Sequence, residues 1–137
     1  MGTFTWDQSL NLQVAEMDDE HKTLINLMNH LEDKWKANAS TSELAESVGA
    51  LASFTVKHFH DEETYMDRIG FPGLSVHKAI HVSLLSQLDG YATEFKQKGK
   101  LEEKFFLFLH LWLKAHIRGI DMKYSEFSHH GSIKKTS

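Results

Sequence analysis

The sequence predicts an all-α domain, an antiparallel up-down-up-down four-helix bundle with an N-terminal arm. Three observations predict it. Apolar residues recur at three- and four-residue intervals along four stretches of about 20 residues each. Gly70, Pro72 and Gly99 punctuate the gaps between those stretches. The connections are too short for long crossovers, so consecutive helices are expected to pack as antiparallel neighbours. At 137 residues the chain suits one domain with a real core, spanning 1–137.

Residues 1–17 are read as the arm, with Trp6, Leu10, Leu12 and Val14 available to pack across the bundle. The bundle itself is expected over 18–127. Its first helix runs from Asp18 to Lys36, with Leu24, Leu27, Met28, Leu31 and Trp35 in register and Asp18 or Asp19 as the N-cap. Ser40-Thr41-Ser42-Glu43 has the capping-box pattern and opens the second, whose stripe is Leu44, Val48, Leu51, Ala52, Thr55 and Phe59. The third spans Leu74 to Lys98, with Val76, Ile80, Leu84, Leu88, Tyr91 and Phe95 on its stripe and Gly99 as its stop. The fourth, Leu101 to Phe127, is apolar on nearly every side through Trp112 and Leu113, as in a helix surrounded by neighbours. A polar tail is expected over 128–137.

Composition excludes several classes of function. A net charge of -4 and a pI near 6.2 leave no basic face for nucleic acid or anionic membrane. The chain has no cysteine, so disulfides, thiolate zinc sites and iron–sulfur clusters are excluded and any metal must be held by nitrogen and oxygen. The longest apolar run, Phe105 to Leu113, is broken by His110 and falls short of the ~20 residues of a membrane span. Met1 to Leu12 is polar where a signal peptide needs an apolar stretch, and the expected compartment is the cytoplasm.

Histidine is the outlier, with ten in the chain. His58/Glu62 and His77/His81 are each spaced four apart, so each pair lies on one helix face and reaches one point in the interior. His116 and Asp121 are five apart, about 140° around an α-helix, and converge only if a metal lies between them or the helix loosens locally, where Gly119 could help. His21 adds a ligand from the first helix. Any one such pair is common on a helix surface; together they are a set of five imidazoles and two carboxylates on four helices, which suits two ions.

With about six positions per ion, as for octahedral iron or manganese, two ions offer about twelve. Five histidines and two bridging carboxylates take nine of them, and one solvent-derived bridging oxygen takes two more. One position stays free, on the ion with fewer histidines, and a diatomic ligand fits it. Two carboxylates stabilise high oxidation states less than the four or so of ferritin-like di-iron enzymes, which favours reversible binding over oxygen activation.

The residues then match a known family. Asp18-Asp19-Glu20-His21, His58-Phe59-His60-Asp61-Glu62, His77-Lys78-Ala79-Ile80-His81 and Trp112-Leu113-Lys114-Ala115-His116-Ile117-Arg118-Gly119-Ile120-Asp121 make the chain resemble the hemerythrins over essentially its whole length. It looks most like the single-domain bacteriohemerythrins. The resemblance implies two iron ions in an oxo- or hydroxo-bridged centre. His77, His81 and His116 would hold the saturated iron, His21 and His58 the open one, and Glu62 and Asp121 would bridge. It also implies dioxygen as the ligand of the open iron, with Leu24, Phe59, Trp112, Leu113 and Ile117 forming a dry apolar oxygen pocket.

His30, His60, His110, His129 and His130 match no ligand position and are read as surface or packing residues, with His110 a candidate for a hydrogen-bonded core residue. Asp61 and Glu63 are out of phase with His58 and are expected to point elsewhere. The function expected is non-enzymatic: reversible dioxygen binding for storage, transport or delivery to an oxygen-using enzyme. The alternatives are an oxygen- or redox-sensing module, and weak peroxide or nitric oxide chemistry at the same irons. The apolar pocket contains no obvious proton donor, which argues against steady catalysis.

Overall fold

In the computed structural model, residues 4–136 are described, with side chains described through His129. Four helical rods carry the fold. They are α1 (Ala15–Lys36), α2 (Thr41–Arg68), α3 (Leu74–Lys98) and a last rod made of α4 (Glu103–Ala115), a π-helical turn (His116–Asp121) and α5 (Met122–Thr136). No strand occurs among the described residues.

End-to-end contacts establish the antiparallel course. Arg68 at the end of α2 pairs with Glu16 at the start of α1, at 2.9 Å. At the opposite pole the Trp35 indole donates to the Leu101 carbonyl (3.0 Å) and the Thr41 hydroxyl to the Gly99 carbonyl (3.0 Å). The expected up-down-up-down bundle is therefore the observed one.

The helix ends follow local chemistry. Ser40 and Glu43 form the reciprocal capping box, satisfying N–H groups that the first turn of α2 would leave orphaned. Gly99 closes α3 in the left-handed region (φ 73°) with its N–H on the Phe95 carbonyl, a conformation that costs a residue with a Cβ more than it costs glycine.

The start of α1 departs from expectation. Neither Asp18 nor Asp19 is the N-cap; the helix begins at Ala15, after Val14. Asp18 instead sits in the first turn and reaches back, accepting the Leu12 N–H (2.9 Å) and the Val14 N–H (3.3 Å). This buried carboxylate ties the arm to the bundle. Asn29 grips the arm farther out, donating to the Phe4 carbonyl and accepting its N–H, both at 2.8 Å, and the Ser125 hydroxyl donates to the Leu12 carbonyl. Phe4, Leu10, Leu12 and Val14 are buried as a result, with Trp6 only partly so.

Two stripes also differ from the pattern read off the sequence. On α3, Val76 is 67% exposed, and the buried line is His77, His81, Leu88 and Phe95. The fourth rod is not enclosed on all sides, since Leu107 and Leu111 are exposed along an open groove of about 490 Å³ between α3 and α4. The last helix also continues through Ser128 to Thr136, where a polar tail was expected. His130 lies outside the residues whose side chains are described.

Candidate metal centre

All seven residues expected as ligands converge in the bundle interior, and each is at most 4% exposed. α1 supplies His21, α2 supplies His58 and Glu62, α3 supplies His77 and His81, and the last rod supplies His116 and Asp121. The five-residue spacing of His116 and Asp121 is resolved by the π turn, which spans those two residues. Bonding from i to i+5 stacks residues five apart much as an α-helix stacks residues four apart. Gly119 is exposed, and a Cβ built on it meets nothing within 4 Å, so close packing does not require glycine there.

The donor atoms sort into two overlapping groups. Glu62, His77, His81, His116 and Asp121 form one, and His21, His58, Glu62 and Asp121 the other, with all atoms of each group within 4.8 Å of one another. The shared carboxylates present opposite oxygens to the two groups. Glu62 Oε1 lies 2.9 Å from His81 Nε2 and 3.4 Å from His77 Nε2, and Asp121 Oδ1 lies 3.0 Å from Nε2 of both His77 and His116. On the other side, Asp121 Oδ2 is 3.1 Å from His21 Nε2, and Glu62 Oε2 is 3.6 Å and 3.5 Å from the Nε2 atoms of His21 and His58.

Despite these distances, the Nε2 atoms of all five histidines, Glu62 Oε1 and both Asp121 oxygens have no partner in hydrogen-bonding geometry. Buried polar atoms are rarely left so, because each unsatisfied group costs about 1–3 kcal/mol. An inward-facing shell of lone-pair donors, all nitrogen or oxygen, is what cations require, and octahedral metals of the iron and manganese type suit this mixture.

Protonation of the protein groups reflects the same crowding. Burial works to lower the His21 pKa, yet the nearby Asp121 and Glu62 carboxylates outweigh it and raise it to about 9. His116 is pushed up to about 10, against burial, by the Asp121 charge and the nearby Glu62 carboxylate. Burial alone would raise the Glu62 carboxyl, but the charge of His58 and the close approach of His116, His21 and His77 hold it well below the usual range.

Metal must therefore displace protons. At pH 7.5 we expect zinc(II) or iron(II) uptake to release at least two protons per chain, those of His21 and His116, read by titration calorimetry in buffers of different ionisation enthalpy. Release that vanished at pH 7.5 would contradict the geometry. The same raised values act on the metal-free fold. Its folded state keeps protons that the unfolded chain loses near pH 6.5, so that contribution to stability is present below 6.5 and is lost as pH rises through about 9 and 10.

Around the donors stand groups that sequence spacing did not reveal. The buried Tyr124 hydroxyl donates to Glu62 Oε2 at 2.7 Å, and burial together with the Glu62 and Asp121 charges raises its pKa well above normal, so it remains a donor. Tyr124 follows Asp121 by three residues, a helical spacing that was a usable signal. Glu20 accepts from His58 Nδ1 at 2.7 Å. Glu63, expected to point away from the site, accepts from His81 Nδ1 at 2.8 Å. That expectation fails because Glu63, out of phase with His58 on its own helix, faces α3 across the seam.

Leu24, Phe59, Trp112, Leu113 and Ile117 are all buried. The Phe59 ring stacks on His81 (3.8 Å between centroids, 2° between planes) and meets Trp112 edge-on at 6.0 Å. The other histidines stand apart: His30, His60 and His129 are exposed, and His110, partly exposed, faces Glu32 at 3.1 Å and the edge of Phe4.

Residues 12–127 match the profile of the hemerythrin HHE cation binding domain. The chain is 26% identical over 126 residues to a bacteriohemerythrin of Stenotrophomonas maltophilia, covering 92% of this chain and 82% of that protein. It is 30% identical to the bacteriohemerythrin of Methylococcus capsulatus, covering 90% of this chain and 95% of that one. A crystal structure of wild-type hemerythrin superposes with a TM-score of 0.82 at 30% identity, covering 89% of this chain and 95% of that chain.

Proposed function

The chain belongs to the hemerythrin family, and from that premise we propose that it is a non-haem di-iron protein that binds dioxygen reversibly, as a store or carrier and not as an enzyme. In this reading His77, His81 and His116 would hold one iron, His21 and His58 would hold the other, and Glu62 and Asp121 would be shared by both. The observation that carries it is the division of the carboxylate oxygens, with Oε1 and Oδ1 toward three histidines and Oε2 and Oδ2 toward two. The side with two histidines would therefore offer an ion fewer protein donors than the side with three.

When bound, the irons supply the electrons that reversible dioxygen binding draws on. The protein supplies the rest. Tyr124 holds Glu62 in the rotamer that spans both groups by donating to Oε2. Leu24, Phe59, Trp112, Leu113 and Ile117 would exclude water, and their side chains supply no acid or base, so that lining holds no ready proton source. Among the described residues no helix is long and apolar enough to cross a membrane.

The test is the optical spectrum of the reduced, iron-loaded chain with iron quantified. Two irons per chain and a visible band that appears on aeration and disappears on deoxygenation are expected. A band that never reverses would remove the carrier reading, and oxygen-driven steady turnover with a reductant would replace it with an enzyme.

A further inference from the structure

Each half of the cluster has one histidine whose outward nitrogen meets a carboxylate from the neighbouring helix. On the two-histidine side, His58 of α2 faces Glu20 of α1, with Nδ1 to Oε1 at 2.7 Å. On the three-histidine side, His81 of α3 faces Glu63 of α2, with Nδ1 to Oε2 at 2.8 Å. Neither carboxylate is a donor in the inner groups. Both histidines are 1% exposed, whereas Glu20 and Glu63 sit nearer the edge at 16% and 25%.

We propose that Glu20 and Glu63 are positioning residues, one for each iron. Each fixes the ring plane and tautomer of a histidine across a helix seam. A carboxylate accepting the Nδ1–H leaves the lone pair on Nε2, the nitrogen that both histidines turn inward. The contact bridges two helices in both places, so it ties ring orientation to the α1–α2 seam on one side and the α2–α3 seam on the other. His21 contrasts with them, since its Nδ1 has no hydrogen-bond partner among the described residues.

A surface ion pair is the competing explanation for Glu20, because its Oε2 also lies 3.4 Å from Lys57, which pairs with Asp61 at 2.7 Å. Exposed pairs of that kind are screened by solvent and contribute little, and the Lys57 ammonium pairs with the other oxygen of Glu20, not the one that meets His58. Glu63 makes its histidine contact at a similar distance without that lysine, which favours orientation of the ring as the shared role.

The inference rests on the ligand assignment proposed above, and its test separates the two. Full-length wild type, Glu20→Ala, Glu63→Ala, Glu20→Gln and Lys57→Ala are loaded anaerobically with iron(II), and release to a colorimetric chelator is followed. Helical circular dichroism checks that each variant folds. Zinc-loaded samples labelled with ¹⁵N-histidine report each ring's tautomer.

Wild type should release two irons slowly. Glu20→Ala should release one of them about 10- to 100-fold faster and disturb the His58 tautomer signal, leaving His81 unchanged. Glu63→Ala should do the converse. Glu20→Gln, whose amide oxygen still accepts, should keep the His58 tautomer, and Lys57→Ala should behave as wild type. Two slow irons in wild type with unchanged release and tautomers in both alanine variants would overturn the positioning role alone, as would a Lys57→Ala effect equal to that of Glu20→Ala. Fewer than two irons in wild type would bring down the ligand assignment, and this inference with it.

Discussion

Glu62→Ala is expected to leave the folded chain with at most one iron and no reversible oxygen spectrum, whereas His58→Ala should keep about one iron, the one held by His77, His81 and His116. The difference follows from position. Glu62 Oε1 faces His77 and His81 while Oε2 faces His21 and His58, so its loss withdraws a donor from both groups at once. It also removes the carboxylate that accepts from the buried Tyr124 hydroxyl and a negative charge that balances the histidines. His58 belongs to one group only, as does His81.

His81→Ala should therefore spare the His21 and His58 site more than its own. Iron per chain by elemental analysis, together with the aerobic and anaerobic spectra, reads both effects. Two irons in Glu62→Ala, or indistinguishable iron content and spectra in His58→Ala and His81→Ala, would refute the assignment of shared and separate ligands.

The second large effect is an asymmetry between adding and removing a residue in the π turn. Inserting one alanine after Gly119 should abolish paired iron binding, whereas deleting Gly119 should leave two irons per chain. The π turn already holds one residue more than an α-helical turn, between His116 and Asp121. Deletion brings those residues to a spacing of four, which an ordinary α-helix places on one face.

Insertion makes the spacing six. A further residue in α register turns everything beyond it by about 100°, carrying Asp121, Tyr124 and Ser125 away from Glu62 and Leu12. Iron stoichiometry decides the outcome, and circular dichroism should show similar helix content in both variants. A deletion that lost both irons, with the helix intact, would mean that the wider π geometry is itself required.

Most of the fold was legible because helix formation is local. The capping box at Ser40 and Glu43, the stop at Gly99 and the three- and four-residue apolar spacing depend on neighbours along the chain, and α2 and α3 begin and end where those signals stand. Asp18 misled for the same reason. A first-turn aspartate resembles an N-cap in sequence, and only the returning arm shows that its partners are Leu12 and Val14. Leu107 and Leu111 look like core by composition, but burial depends on whether a neighbouring element covers the helix face.

By itself the sequence determined the four helices and singled out the seven donors, since spacing along a helix puts His58 with Glu62 and His77 with His81 on one face. The tertiary structure decided how those donors divide. It alone wound His116 and Asp121 into a π turn and aimed each carboxylate oxygen at a different histidine group. It alone brought Tyr124, Glu20 and Glu63 against their partners. These are contacts between helices, and the register of one helix against another is set by packing in three dimensions, which no periodicity along a single chain encodes.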